Sequence, residues 1–200
     1  MTDFHDPDQV KQIYYPEIER LVREMVGAER VIVFGEALRA EDPALRAREP
    51  ATNPHVDFNE KTVRRFAANI LGVAEAEKYA TKRVALINLW RGIKTVERLP
   101  LAVCDATTVA DEDLVLGLIG TRADEPNDFL EGFNLAYSPA HRWYYYPRMT
   151  PDELLMFKLC DSDRSRVQYT AHSAFDDPSA APDASPRQSL EIRTISFFGD

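Results

Sequence analysis

Apolar positions follow two different periods along this chain, helical near its start and strand-like later. Ile18, Leu21, Val22, Met25 and Val26 recur every three or four residues, which predicts an amphipathic helix. Pro16 suits the first turn of that helix and Gly27 its end. The next run, RVIVFGEAL at 30–38, is rich in β-branched residues and reads as a strand. Residues 40–54 are polar, carry Pro43, Pro50 and Pro54, and read as a loop. A short extended piece, His55-Val56-Asp57-Phe58, follows. Asn59 then caps a predicted helix bearing Val63, Phe66, Ile70 and Leu71, which stops near Gly72.

From residue 84 onward the period changes. Apolar or aromatic runs at 84–93, 99–104, 141–147, 153–159 and 189–198 read as strands, with 166–172 as a further candidate. Turn chemistry separates them, including Pro139, Pro147, Pro151, Pro178, Pro182 and Pro186. Residues 111–119 read as one short helix. Helices early and closely spaced strands late predict an α+β, mainly β fold. The strands form an antiparallel sandwich or barrel, with N-terminal and flanking helices. The polar segment 176–186 reads as a connector or a mobile lid.

The chain has 200 residues, 44% hydrophobic and 28% charged. That is the composition of an ordinary folded protein, and the length predicts a single domain over 1–200. A net charge of −9 argues against nucleic acid or an anionic membrane as partner. No run approaches the ~20 apolar residues of a membrane span. The opening MTDFHDPDQVKQ has neither a basic nor an apolar region, so no signal peptide is expected. Cys104 and Cys160 lie in apolar runs and read as buried thiols, which predicts a reducing, cytoplasmic setting.

His55 and Asp57 change the picture. Two apart on an extended segment, they face one way. Two histidines and one carboxylate on one face of an octahedral ion make the facial triad of non-haem Fe(II) enzymes. The second histidine is either His172 or His141. His172 is favoured because Pro186-Arg187-Gln188-Ser189 follows it closely. Arg187 and Ser189 share a strand face and could grip the far carboxylate of a dicarboxylate. Arg193 shares that face and is a rival clamp, with Glu191 between them able to pair with either. Asn88 and Trp90 share one face of the 84–93 strand and read as a cavity wall or as core packing. The competing readings are a surface ion pair for His55 and Asp57, and a solvated charge for Arg187. The order H-x-D, distal His, R-x-S is that of a 2-oxoglutarate-dependent Fe(II) oxygenase.

The stretches YYPEIERLVREMVGAERVIVFGEALR, HVDFNEKTVRRF, INLWRGI, HRWYYYPRMTPDELLMFKLCDSD, HSAFDDP and APDASPRQSLEIRTISFF resemble the AsaB-like (CmcJ-type) hydroxylase/desaturase family over nearly the whole chain. The resemblance implies a double-stranded β-helix (jelly roll) and Fe(II)/2-oxoglutarate chemistry, hydroxylation or desaturation, on a small secondary metabolite. It places iron on His55, Asp57 and His172, and the cosubstrate on Arg187. Members generally carry an additional N-terminal segment that this chain is expected to lack. The sequence departs from the family pattern at Phe58 and Gly92, near the expected pocket. The CmcJ-type resemblance also raises an alternative: a non-catalytic jelly-roll accessory protein beside a partner enzyme of the same pathway. A third reading is a cupin-like metal protein without 2-oxoglutarate.

Overall fold

A computed structural model describes residues 3–45, 47–120 and 129–199. The chain opens with α1 (Pro7–Gln9), a π-helical turn over Val10–Tyr14, and α2 (Tyr15–Val26). Gly27 ends α2 at φ 69°, its N–H donating to the Arg23 carbonyl, a left-handed cap that glycine adopts without steric penalty. β1 (Arg30–Ala40) and β2 (His55–Val56) follow. Asn59 then caps α3 (Glu60–Leu71) through its side-chain oxygen, which accepts from the Thr62 N–H, and α4 (Val73–Ala76) adds one turn. The remaining strands are β3 (Val84–Gly92), β4 (Leu101–Cys104), β5 (Leu114–Gly120), β6 (Phe129–Leu135), β7 (Trp143–Tyr145), β8 (Leu155–Asp161), β9 (His172–Ala174) and β10 (Gln188–Phe197).

The helix expected over 111–119 is not there. Only Asp111–Asp113 make a 3-10 turn, and β5 begins at Leu114. From Leu114↔Leu135 to Gly120↔Phe129 it pairs continuously with β6. A strand partner decides the conformation of a short apolar run that contains Gly117, whatever its local period. The run at 166–172 likewise contributes only its last residue, His172, to a strand.

The strands form two antiparallel sheets, ordered β1-β10-β3-β8 and β5-β6-β2-β9-β4-β7. Facing each other, they make a double-stranded β-helix. The core between them holds Leu86, Trp90, Phe157, Leu159, Ile195 and Phe197, capped at one end by Val63 and Ala67 of α3. β10 alternates as a strand buried on both faces must. Ile195 and Phe197 point inward, while Leu190 and Ile192 pack outward against Ile18 and Val22 of α2. Among the described residues, no helix is long and apolar enough to cross a membrane.

One ion cluster ties the edge of the first sheet. The fully buried Asp161 carboxylate accepts from Arg83 at 2.8 Å, Lys158 at 2.7 Å and the Asp163 N–H at 3.0 Å. Burial pushes its carboxyl up, but the Arg83 and Lys158 bonds outweigh burial and hold it below the usual range. Because the folded value is depressed, this stabilisation is complete above the unfolded carboxyl's pKa near 4 and is lost as the pH falls through the folded value. Asp161→Asn strands two partly buried cations. It should cost about 3 kcal/mol at neutral pH and flatten the acid limb of stability, as measured by urea unfolding from pH 7 to 3.

Candidate metal centre

The site is assembled by strand pairing. His55 on β2 lies directly across from His172 on β9. Asp57 follows two residues after His55 on the same side, as the strand period dictates. Gly132 of β6 lets the backbones close up here. A Cβ at that position would sit 2.4 Å from the Val56 carbonyl oxygen and 2.8 Å from that of Asp57.

One ligand atom from each of His55, Asp57 and His172 lies within 4.8 Å of the others. The two imidazole rings are 4.4 Å apart, and Phe157 packs against His172 at 4.8 Å. His55 Nδ1 faces the Asn53 carbonyl at 2.7 Å, and His172 Nδ1 faces the Thr170 carbonyl at 3.1 Å. A carbonyl only accepts, so each Nδ1 carries a proton and each Nε2 is the nitrogen left to face a metal. That is the tautomer a metal requires. Burial pushes His172 down to about 4, so it is neutral at pH 7. Burial also opposes charge on His55, but the hydrogen bond and negative charge of Asp57 outweigh it and raise that histidine. Burial alone would raise the Asp57 carboxyl. Arg193, His55 and His172 reverse that and hold it far below the usual range, ionised. Two imidazoles and one carboxylate within a few ångströms form a set that could hold one divalent cation, whose binding would displace any proton on His55 Nε2.

Beside the triad runs a narrow cavity of about 10 Å³ lined by Arg39, His55, Trp90, His172, Arg187 and Glu191, among others. Arg187 is 1% exposed. Its Nε donates to Ser189 Oγ at 3.1 Å and its Nη1 to the Leu99 carbonyl at 2.5 Å. Leu99 stands at φ 48°, a left-handed position costly for leucine. The Arg187 guanidinium lies 5.0 Å from the Trp90 ring centroid, within cation–π range. Burial and the neighbouring Arg39 charge lower its pKa to about 10, so it remains a cation.

Asn88 and Trp90 face the same interior. Asn88 is 0% exposed, yet neither of its amide atoms has a partner, and Trp90 Nε1 is also unpartnered. Buried polar atoms are normally satisfied; Trp90 lines the cavity, so its Nε1 is open to a polar group that enters there. Arg193 lies across from Asn88 in the ladder and approaches Asp57 Oδ2 at 3.5 Å. Glu191 bridges Arg193 and Arg39. His141 is elsewhere, its Nε2 2.9 Å from Asp113 Oδ2. Segment 176–186 is tied down at its far end: the Ser185 N–H donates to Glu97 at 2.8 Å. Arg39 is the cavity residue that sequence reading missed. It reaches the cavity through the pairing of β1 with β10, and no local signal marks it.

Residues 1–197 match the family described as "Oxidoreductase/YMDC permease-like domain". The chain is 33% identical over 219 residues to the hydroxylase/desaturase efuI of Hormonema carpetanum, covering 98% of this chain and 73% of that protein. It is 39% identical over 137 residues to the hydroxylase/desaturase asaB of Aspergillus flavus, covering 63% of this chain and 60% of the relative. The chain belongs to the AsaB-like hydroxylase/desaturase family. A solved structure of this kind, the iron and alpha-ketoglutarate-dependent endoperoxidase NvfI, superposes with a TM-score of 0.88 at 28% identity, covering 98% of this chain and 72% of that one. In the AsaB-like chain described above, the charged and polar interior is built from both sheets of the shared fold.

Proposed function

We propose that this chain is an Fe(II)- and 2-oxoglutarate-dependent oxygenase acting on a small molecule. His55, Asp57 and His172 would hold the iron, and Arg187 with Ser189 the far carboxylate of the cosubstrate. The observation that carries this reading is a largely buried His–Asp–His cluster whose ligand atoms converge, sharing one cavity with a buried arginine. The donor set fits the ion, being nitrogen and carboxylate with no thiolate. The unpartnered Nε1 of Trp90, a donor lining the cavity, fits the oxygen-rich cosubstrate.

When bound, the iron would bring dioxygen and 2-oxoglutarate together: dioxygen would be the oxidant that breaks a C–H bond of the substrate, and 2-oxoglutarate, going to succinate and CO2, would supply the other two electrons. The chain's own residues position and insulate. Thr170 and Asn53 hold the two imidazoles in one tautomer and orientation. Ser189 and the Leu99 carbonyl fix the plane of the Arg187 fork, and no described residue bonds its Nη2. Trp90 walls the cavity with apolar surface, and Phe157 packs behind His172, so bulk water is kept away. A cavity of about 10 Å³ holds roughly one water, so the cavity must widen as the cosubstrate enters.

Both sheets feed one cavity, which supports reading residues 1–200 as one catalytic domain. The buried free thiols of Cys104 and Cys160 support a cytoplasmic setting. Any partner enzyme would belong to the same pathway. The test is calorimetry under anaerobic conditions, with Mn(II) as an unreactive substitute for Fe(II). One metal ion and one 2-oxoglutarate should bind per chain, the second only after the first. With Fe(II) and air, succinate should then form. Metal binding without any 2-oxoglutarate binding would favour the cupin-like alternative. Binding of both without succinate in the presence of substrate would favour an accessory role.

A further inference from the structure

The two oxygens of Asp57 face different neighbours. Oδ1 lies 3.4 Å from His55 Nε2, on the side of the histidine pair. Oδ2 lies 3.5 Å from Arg193 Nε. Both Oδ2 and Arg193 Nε are buried without a completed hydrogen bond. Arg193 is itself held in place: its Nη2 donates to Glu191 Oε1 at 2.5 Å, and Arg39 grips the same carboxylate with two bonds of 3.3 Å. Glu191 therefore fixes the guanidinium with its Nε edge toward Asp57. A small closing movement would turn the 3.5 Å approach into a charge-assisted bond, as site contacts commonly tighten once ligands are bound.

We propose that Arg193 is a positioning residue that reserves Asp57 Oδ2, so that the carboxylate meets the metal through Oδ1 alone. The inference rests on the metal reading above and adds to it a reason for a second buried arginine. An octahedral ion has six positions. Two imidazoles and one carboxylate oxygen would fill three of them. A 2-oxo acid held through two oxygens would fill two more, and one would remain for a diatomic gas. If Asp57 swung to ligate through both oxygens, it would take the last position. Arg193 opposes that swing, because it would give up the contact to Oδ2 and leave a guanidinium buried beside a surrendered partner. Arg187 and Arg193 thus divide the work on one strand face, the first toward the cosubstrate and the second toward the ligand geometry.

A purely structural role for Arg193, neutralising buried charge, would affect folding but not the number of open metal positions. The test therefore counts positions. Protein loaded with Fe(II) and 2-oxoglutarate without oxygen is exposed to nitric oxide, a substitute for dioxygen, and the iron–nitrosyl signal is read by electron paramagnetic resonance. The wild type should give a full signal. Arg193→Met should still bind Fe(II) and 2-oxoglutarate by titration, but its affinity for nitric oxide, read from the nitrosyl signal at sub-saturating gas, should fall about tenfold, the effect of one lost charge-assisted hydrogen bond. Arg193→Lys should recover a large part of it. If Arg193→Met does not fold, Glu191→Gln carries the test: it loosens the anchor and should lower the signal by a smaller factor. A full signal in Arg193→Met, or in Glu191→Gln if that variant carries the test, overturns the inference. So does loss of 2-oxoglutarate binding in Arg193→Met, which would make Arg193 the cosubstrate clamp. A wild type that binds neither iron nor 2-oxoglutarate fails the proposed function itself, whereas full binding with equal signals in every variant fails this inference alone.

Discussion

His172→Ala should lower divalent metal affinity by at least about 100-fold, more than the loss of an outer hydrogen-bonding partner of a metal ligand typically costs. His172 sits 4% exposed against Phe157 and 4.4 Å from the His55 ring. It supplies one of the three ligand atoms that converge. With alanine in its place, His55 and Asp57 form only a two-ligand site, and the cavity gains space rather than a donor. His141→Ala is the control, because that imidazole is engaged with Asp113 at 2.9 Å, outside the cluster. It should leave metal affinity unchanged and weaken only the local tie between the turn before β5 and the turn before β7. Mn(II) titration followed by electron paramagnetic resonance reads both variants, with circular dichroism confirming that each is folded. Normal binding by His172→Ala together with loss in His141→Ala would move the distal ligand to His141 and undo the triad as drawn here.

The parts of the site visible in the sequence are those whose partners lie close along the chain. His55 and Asp57 are two apart on an extended segment, and so are Arg187 and Ser189. The strand period alone puts each pair on one face. His172 stands out only by its company, an R-x-S strand a short loop later. The rest depends on which strands become neighbours. Arg39 meets Glu191 because β1 and β10 align in register over some ten residues, and nothing near residue 39 announces that pairing. Asn53 and Thr170 act through backbone carbonyls, so their side chains carry no trace of the role. Gly132 is one glycine among several in the sequence, and its meaning appears only where Val56 and Asp57 press against it. The misreading of 111–119 has the same cause. LVLGLI suits either period, and β6, with which it pairs, decides between them.

Arg187→Ala should weaken 2-oxoglutarate binding by about 2–5 kcal/mol, the cost of leaving a buried charged partner unpaired, or roughly 30- to 3,000-fold in apparent affinity. The magnitude follows from the setting. Arg187 is 1% exposed, stacked near Trp90 and braced by Ser189 and the Leu99 carbonyl. Little water reaches the cavity to replace what the side chain provides. Arg187→Lys should restore only part of the loss, since an ammonium cannot present two parallel donors and cannot keep both braces. Mn(II) affinity should survive in both variants, because no Arg187 atom belongs to the ligand cluster. Binding is best read by calorimetry on the metal-loaded protein at constant salt, with stability followed alongside, since the substitution also leaves the Leu99 carbonyl and Ser189 without their donor. Arg193→Met is the comparison: its side chain turns toward Asp57 and Glu191, so 2-oxoglutarate affinity should stay within a few-fold of wild type. The reverse pattern, normal binding in Arg187→Ala and a large loss in Arg193→Met, would transfer the carboxylate clamp to Arg193 and leave Arg187 as a brace for the Leu99 turn.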